Sequence, residues 1–167
     1  TGEGRHADRM RILLAVTAAI ALLASPVLAQ DLKVTVAGRD TVMLTPAEVK
    51  ALPRAKATIT VKGQPVVYEG AVLHGALLKA GVVSGERLMG RYLNQIVVLR
   101  AADGFSSILS IAETDPVYRA NPVILADTVN GKPLDAREGP YRVVVDGDLR
   151  NSRSPRGVVS IEVKAGF

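Results

Sequence analysis

The chain has 167 residues, a formal net charge of +5, two histidines and no cysteine. This length is sufficient for one domain with a sizeable hydrophobic core. The absence of cysteine excludes a disulfide scaffold, a thiolate nucleophile and a zinc or iron–sulfur site with cysteine ligands.

The first 29 residues have the pattern of a secretory signal peptide. Three arginines precede a short apolar run at residues 12–23, and small residues before Gln30 form a cleavage site. Met10 is a candidate start, which would place residues 1–9 upstream of it. The alternative is an uncleaved membrane anchor, but the apolar run is shorter than the roughly 20 residues that span a bilayer. We expect a periplasmic or secreted protein, with residues 30–167 as its single domain.

The first half of this domain predicts one strand, one short helix and a hairpin. Apolar and polar residues alternate over residues 32–36, which is typical of a strand. Residues 45–48 (TPAE) have the form of a capping box with proline at the first helical position, and Pro53 ends that helix. A hairpin is predicted over residues 57–68, with its tight turn at Gly63-Gln64.

The second half predicts a further helix and several short strands. Apolar residues recur at helical spacing over residues 72–80, and Gly81 fits the position just after a helix. Asp103-Gly104 and Asn130-Gly131 supply turns. The predicted strands are residues 95–101, 105–111, 123–126, 141–145 and 158–163. Together these elements predict an α+β domain with a mixed or mostly antiparallel sheet and a few short helices.

A basic cluster near the C-terminus is the first candidate binding feature. Arginine offers a planar fork of donors that matches carboxylate or phosphate. Residues 150–156 add hydroxyl and amide donors, and the scarcity of aromatic residues favours a small anion over nucleic acid. The alternative is a solvated basic rim that pairs with Asp146, Asp148 and Glu138. The arginines are Arg137, Arg142, Arg150, Arg153 and Arg156.

Two further features have a structural and a functional interpretation. The Asp103-Gly104 pair is first a hairpin turn, although its carboxylate can also accept hydrogen bonds from a ligand. His74 lies on the flank of the helix at residues 72–80. It is either a partly exposed surface residue or a residue that hydrogen-bonds a ligand. Neither a hydrolase nucleophile elbow nor a phosphate-binding glycine loop is present in the sequence.

Three motifs, in their order and spacing, resemble the molybdopterin-binding domain of the sulfite oxidase family. They are YEGAVL at residues 68–73, AADGF at residues 101–105 and GPYR at residues 139–142. The resemblance implies a sulfite-oxidase-type fold over most of residues 32–163. It also implies a ligand site for pterin or molybdopterin. The candidate ligand-binding residues are Asp103, Gly104, Phe105, Ser106, Arg142, Arg150, Arg153, Arg156 and His74.

The sequence departs from the family at the metal. Members with known chemistry hold molybdenum through a cysteine thiolate, whose motif would lie between the strand at residues 59–61 and Tyr68. This chain has no cysteine there or elsewhere, so the resemblance implies a cofactor site without a cysteine-ligated metal and without catalysis.

Similar short secreted chains include small periplasmic pterin-binding proteins that signal through a membrane-bound partner. The leading hypothesis is therefore a secreted, non-catalytic domain that binds a pterin or a related anionic heterocycle as the sensor of a signalling pair. One alternative is a molybdopterin-dependent oxidoreductase, or a subunit of one, with a redox partner. The other is a protein-interaction module whose pocket is degenerate.

Overall fold

The structure, a computed structural model, describes residues 30–166, so the predicted signal segment at residues 1–29 lies outside it. The described residues form two five-stranded sheets and two short α-helices, which agrees with the predicted α+β class. None of the helices in this part of the chain is long and apolar enough to cross a membrane. Three short 3₁₀ turns lie at Gly85–Arg87, Gly90–Tyr92 and Ile111–Thr114.

The first sheet is mixed. Its strands are β1 (Leu32–Val36), β2 (Val42–Leu44), β5 (Gln95–Ala101), β6 (Ser106–Ser110) and β10 (Val158–Ala165). Their order is β2-β1-β10-β5-β6, and only the β1–β10 pair of this described sheet is parallel. The last strand of the chain thus lies at the centre of the sheet and joins the opening strand to the β5–β6 hairpin.

The second sheet is antiparallel and curls on itself. Its strands are β3 (Arg54–Val61), β4 (Gln64–Val72), β7 (Val123–Val129), β8 (Lys132–Pro133) and β9 (Arg142–Val145). β3, β4 and β7 are neighbours in that order, and β8 and β9 both pair with the far edge of β7. The backbone N–H of Thr58 in β3 donates to the Asp146 carboxylate just after β9, at 2.8 Å. The two edges of the sheet therefore approach each other, as in a partly closed barrel.

Strand alternation divides the hydrophobic core in two. In β7, Val123 and Leu125 face the main core between the sheets, whereas Ile124 and Ala126 face a smaller cluster inside the curl of the second sheet. Arg142 of β9 pairs with Ala126 and shares its face. A long charged side chain thus lies on the inner side of the curled sheet.

The first helix, α1 (Pro46–Lys50), has the predicted capping box. The Thr45 hydroxyl accepts a hydrogen bond from the Glu48 N–H at 3.3 Å, and the Glu48 carboxylate accepts from the Thr45 N–H at 2.8 Å. Both bonds satisfy backbone donors that a helix start leaves unpaired. The prediction from four consecutive residues is confirmed.

The second helix, α2 (Leu73–Lys79), ends at Gly81 as predicted. Gly81 has φ +81°, its N–H donates to the Leu78 carbonyl at 2.9 Å, and the Val82 N–H donates to the Leu77 carbonyl at 3.1 Å. This pair of bonds is the Schellman motif, which favours glycine because of the positive φ.

The position of one turn was predicted wrongly, and one short strand was not predicted. The β3–β4 hairpin turns at Lys62-Gly63, where φ is +51° and +79°, and not at Gly63-Gln64. A two-residue hairpin turn of this kind needs positive φ at both central residues, and the sequence indicated only the glycine. Residues 42–44, which lead into α1, form the short strand β2 because they pair with β1, and this strand was not predicted from the sequence.

Candidate functional site

A cleft of about 260 Å³ opens where the two sheets meet. It lies between the β5–β6 hairpin, the start of β9 and the loop that precedes β10. Its walls bring together four residues that the sequence singled out, from segments up to 53 positions apart. The lining residues are Asp103, Phe105, Arg142, Asn151, Ser152, Ser154, Pro155 and Arg156.

Backbone hydrogen bonds hold the loop before β10 in place. The Val143 N–H of β9 donates to the Pro155 carbonyl at 3.0 Å, and the Ala102 N–H of the hairpin donates to the Gly157 carbonyl at 2.9 Å. The loop is thereby bonded to both sheets. Its backbone is positioned by regular structure on either side, which gives the cleft a defined wall.

Arg142 forms the buried end of the cleft. It is only 1% exposed, and its Nη1 donates to the Tyr68 hydroxyl at 2.6 Å and to the Glu138 carboxylate at 2.5 Å. The guanidinium carbon lies 4.8 Å from the centroid of the Tyr68 ring, a cation–π distance. Burial is the main reason that the pKa of Tyr68 is raised. These contacts fix the guanidinium but leave its Nε without a partner among the described residues.

Ser154 provides a second unpaired polar group. It is 6% exposed, and its buried hydroxyl has no hydrogen-bond partner in the described part of the chain. A buried polar group without a partner costs about 1–3 kcal/mol, so native proteins rarely leave one unsatisfied. Arg142 and Ser154 both line the cleft. The two unpaired atoms themselves are buried beneath the surface of the cleft.

Asp103 and Phe105 form the rim of the cleft. One carboxylate oxygen of Asp103, Oδ1, accepts from the Phe105 N–H at 2.9 Å and stabilises the predicted hairpin turn. The other oxygen has no partner within residues 30–166. The Phe105 side chain is 47% exposed, so one face of its ring is available to a ligand. Gly104 and Ser106 flank these residues but do not line the cleft.

The charges at the cleft are nearly balanced. The Nε of Arg156 lies 3.3 Å from the same Glu138 oxygen that accepts from Arg142. Glu138 and Asp103 therefore oppose the two guanidinium groups. The cleft is polar and rich in donors, but it lacks a large excess of positive charge.

The arginines of the basic cluster near the C-terminus do not come together in one place. Arg156 lines the cleft, whereas Arg153 donates to both Asp148 oxygens at 2.7 and 2.9 Å and to Glu113 at 2.7 Å. The hydrogen bonds to Asp148, and then those to Glu113, raise the pKa of Arg153. Arg150 is exposed and has no ion pair in the described structure. The ligand contacts of these two arginines stay a prediction.

His74 lies outside the cleft, on α2. The ring is half-buried, its Nε2 is 3.1 Å from the Ser84 hydroxyl, and its Nδ1 is buried without a partner among residues 30–166. Burial lowers the pKa of His74, and the nearby Asp115 carboxylate opposes this effect. The side chain is therefore neutral at physiological pH. Its predicted ligand contact stays a prediction.

Several residues that line the cleft were not among the candidate ligand-binding residues predicted from the sequence. Asn151, Ser152 and Ser154 lie in the loop whose hydroxyl and amide donors the sequence did indicate. Tyr68 and Arg142, by contrast, are 74 positions apart and meet only through the β4–β7–β9 pairing. No local pattern could have revealed that contact. Among residues 30–166, no group of three His, Cys, Asp or Glu side chains is placed to hold a metal ion.

The fold has a counterpart among solved structures. The chain is similar to the sulfane dehydrogenase SoxCD from Paracoccus pantotrophus, with a TM-score of 0.62 and 18% sequence identity. The fold is distantly sulfite-oxidase-like. The match covers 81% of this chain but only 39% of the SoxCD chain, and identity this low shows the fold alone. No protein-family model matches the sequence, and no curated protein gives a significant match.

Proposed function

We propose that this chain is a non-catalytic domain that binds a pterin or a similar planar heterocycle in the cleft at the junction of the sheets. One observation carries the proposal. The Asp103 carboxylate, the Arg142 and Arg156 guanidinium groups and the polar loop at residues 151–154 line one cleft, so hydrogen-bond donors and an acceptor meet around a single space.

The hydrogen-bonding pattern of a pterin is complementary to this arrangement. One edge of the bicyclic ring carries N–H donors beside a carbonyl oxygen, and its ring nitrogens are further acceptors. Asp103 can accept from the N–H groups, while the Asn151 amide and the Arg156 guanidinium, which line the cleft, can donate to the acceptors. The half-exposed Phe105 ring offers a stacking surface. The residues present thus fit the organic part of the cofactor.

The same residues do not fit a catalytic molybdenum centre of the family type. The position expected for the thiolate falls in the β3–β4 hairpin, whose tip is Lys62-Gly63. Lysine and glycine supply no soft ligand for the metal. Any molybdenum would be held only by the cofactor itself and by labile oxygen ligands, so we propose binding without turnover. We also propose that the protein is secreted and that it signals through a membrane-bound partner.

A second candidate is an oxidoreductase, or a subunit of one. The likeness to a sulfane dehydrogenase favours it, because that protein is an oxidoreductase by name. In this case the chain would contribute a cofactor-binding domain to a larger assembly, in which a redox partner completes the activity.

One experiment separates these functions. The protein is purified from its native source and denatured, and the released material is assayed for pterin fluorescence and for molybdenum. We expect pterin emission without stoichiometric molybdenum. Both together, with substrate turnover, would establish the oxidoreductase. Neither, together with failure of added pterin to bind in titration calorimetry, would contradict both and favour a protein-interaction module.

A further inference from the structure

One edge of the first sheet, formed by β6, has no strand beside it. β6 pairs with β5 on one side and, among residues 30–166, with no strand on the other. An exposed edge presents backbone N–H and C=O groups that can pair with another strand, so natural proteins protect most such edges. An edge without protection therefore indicates where a further strand can be added.

The other edge strands of the two sheets are protected. β2 has only three residues, β3 carries the charged Arg54 and Lys56, and β8 consists of Lys132–Pro133. The outer edge of β9 is covered by the loop before β10, since the Val143 N–H donates to the Pro155 carbonyl at 3.0 Å. Short length, charge, proline and coverage all hinder pairing at an edge.

β6 has none of these features. Its five residues read SSILS, without a charge or a proline. Ser107 and Leu109 are buried, and the other three side chains are exposed. Ile108, at the middle of the strand, is 57% exposed. An apolar residue thus lies at the centre of an unprotected edge.

The hydrogen bonds of the β5–β6 hairpin indicate which backbone groups of β6 face outward. The Ala101 N–H donates to the Phe105 carbonyl at 2.9 Å, and hydrogen-bonded pairs alternate along an antiparallel ladder. Counting from this bond along the register, Ser106 and Ile108 direct their N–H and C=O groups away from β5. Among residues 30–166, these two groups of Ile108 have no other hydrogen-bond partner. Both are therefore available to a second strand.

The strand is complementary to a second copy of itself. In an antiparallel pair centred on Ile108, the two Ile108 residues exchange both backbone hydrogen bonds across a two-fold axis. Ser106 of each copy then lies opposite Ser110 of the other, so no charged side chain of the strand faces a like charge. The Ser110 N–H already donates to the Glu113 carboxylate at 2.9 Å. The backbone bonds between the copies are therefore concentrated at Ile108.

We propose that two copies of this chain pair antiparallel through β6 and join their first sheets into one continuous sheet. The occupant of the edge is a second copy, because the strand is symmetric about Ile108 and carries no charge that would select a different partner. An interface built on one short edge falls below about 1,200 Å², in the range of weak and transient contacts, so the dimer forms in a concentration-dependent way. The proposal is independent of ligand binding in the cleft.

The first test is sedimentation equilibrium of the full chain, without ligand, from micromolar to millimolar concentration. We expect a reversible monomer–dimer equilibrium. Ile108→Lys places two like charges opposite each other and should weaken dimerisation at least tenfold. Met43→Lys is the matched control, because Met43 is 51% exposed on β2, at the opposite edge of the same sheet. This variant should dimerise as the unmodified chain does.

Hydrogen exchange of the unmodified chain gives a second test that needs no variant. Exchange of the Ile108 amide should slow as the protein concentration rises, whereas exchange in β2 should not change. Three outcomes would overturn the proposal: a monomer at all concentrations, equal weakening by the two lysine substitutions, or an Ile108 amide whose exchange is independent of concentration. Circular dichroism reports whether each variant is folded, and if Ile108→Lys is not, the exchange measurement decides.

Discussion

Single residues at the cleft serve both the fold and the proposed site. Arg142 is the clearest case, since its Nη1 donates to Tyr68 of β4 and to Glu138 before β9, while its Nε has no partner among residues 30–166. A buried ion pair of this kind gives little net stability, because desolvation offsets the attraction. Its contribution is to fix the guanidinium group at the buried end of the cleft.

Asp103 allows the two roles to be separated at one residue. Asp103→Asn keeps an oxygen that can accept from the Phe105 N–H, so the turn and the melting temperature should hardly change. The substitution removes the charge and replaces an acceptor by a donor. Pterin affinity, measured by fluorescence quenching, should fall at least tenfold, about 1.4 kcal/mol. Asp135→Asn is the control, because this exposed carboxylate also accepts from backbone N–H groups and does not line the cleft. Intact binding in Asp103→Asn would place the ligand elsewhere.

At the scale of elements, the YEG motif has a structural explanation. β4 pairs with β7 in an antiparallel arrangement that is interrupted by a bulge between Glu69 and Gly70. A β-carbon on Gly70 would lie 2.0 Å from the Leu125 carbonyl oxygen and 2.5 Å from the Ala126 Cα. Glycine is thus required by the close approach of the two backbones. The bulge also sets the register in which Tyr68 meets Arg142.

Gly70→Ala should therefore destabilise the fold by more than about 3 kcal/mol, since backbone atoms must shift to admit one methyl group. Gly63→Ala is the matched control. Gly63 needs positive φ but has open space around its β-carbon position, so its substitution should cost about 1–2 kcal/mol. Urea unfolding measures both. Equal effects would mean that the β4–β7 contact is more adaptable than the structure indicates.

Arg153 gives a second prediction at this scale, because it ties the loop before β10 to the 3₁₀ turn at Ile111–Thr114. Arg153→Ala removes the cation bonded to Asp148 and leaves Glu113 with only the more distant Arg119, at 3.9 Å. Unfolding should require about 1 kcal/mol less, an effect that salt reduces. The exposed Arg150→Ala should change stability little. A larger loss of pterin binding than of stability in Arg153→Ala would instead support direct ligand contact.

The whole molecule combines these elements around a junction of two sheets. The central β10 and the curled second sheet are joined by the loop that carries Ser154 and Arg156, and the cleft lies where this loop meets both sheets. Its shape therefore depends on the relative position of the sheets. Global stability and ligand binding should consequently be coupled.

The pH dependence of stability reflects groups in different parts of the fold. Burial lowers the pKa of His74 below its ordinary value of 6.5. Burial alone would raise the pKa of both Glu113 and Asp115, but hydrogen bonds outweigh this effect and lower it. Glu113 accepts hydrogen bonds from Ser110 and Arg153. Asp115 accepts them from the backbone N–H groups of Gly85 and Val117. In each case the unfolded state takes up the proton first. Stability is therefore lost as pH falls.

The pH range in which stability is lost differs between His74 and the two carboxylates. The contribution of His74 should be lost as pH falls below about 6.5, and those of the carboxylates below about 4.5. Urea unfolding across this range measures both. His74→Gln should flatten the curve between about pH 7 and pH 5 and leave the acid limb unchanged. An identical curve for this variant would show that His74 does not titrate differently on folding.

The sequence by itself determined the features that nearby residues control. The Thr45–Glu48 capping box, the helix end at Gly81 and the Asp103-Gly104 turn each depend on contacts within four or five positions, and each was predicted. The α+β class followed from the periodicity of short segments. The sequence also determined that no thiolate can hold a metal.

Only the tertiary structure decided which of the predicted residues meet. The pairing of Tyr68 with Arg142, and of Arg153 with Glu113, joins positions 74 and 40 residues apart. Such contacts depend on strand order, on the bulge at Gly70 and on the curl of the second sheet, which leave no local pattern in the sequence. The arginines of the basic cluster look alike in the sequence, but they lie in different surroundings. Arg142 and Arg156 line the cleft, whereas Arg153 is bonded to Asp148 and Glu113.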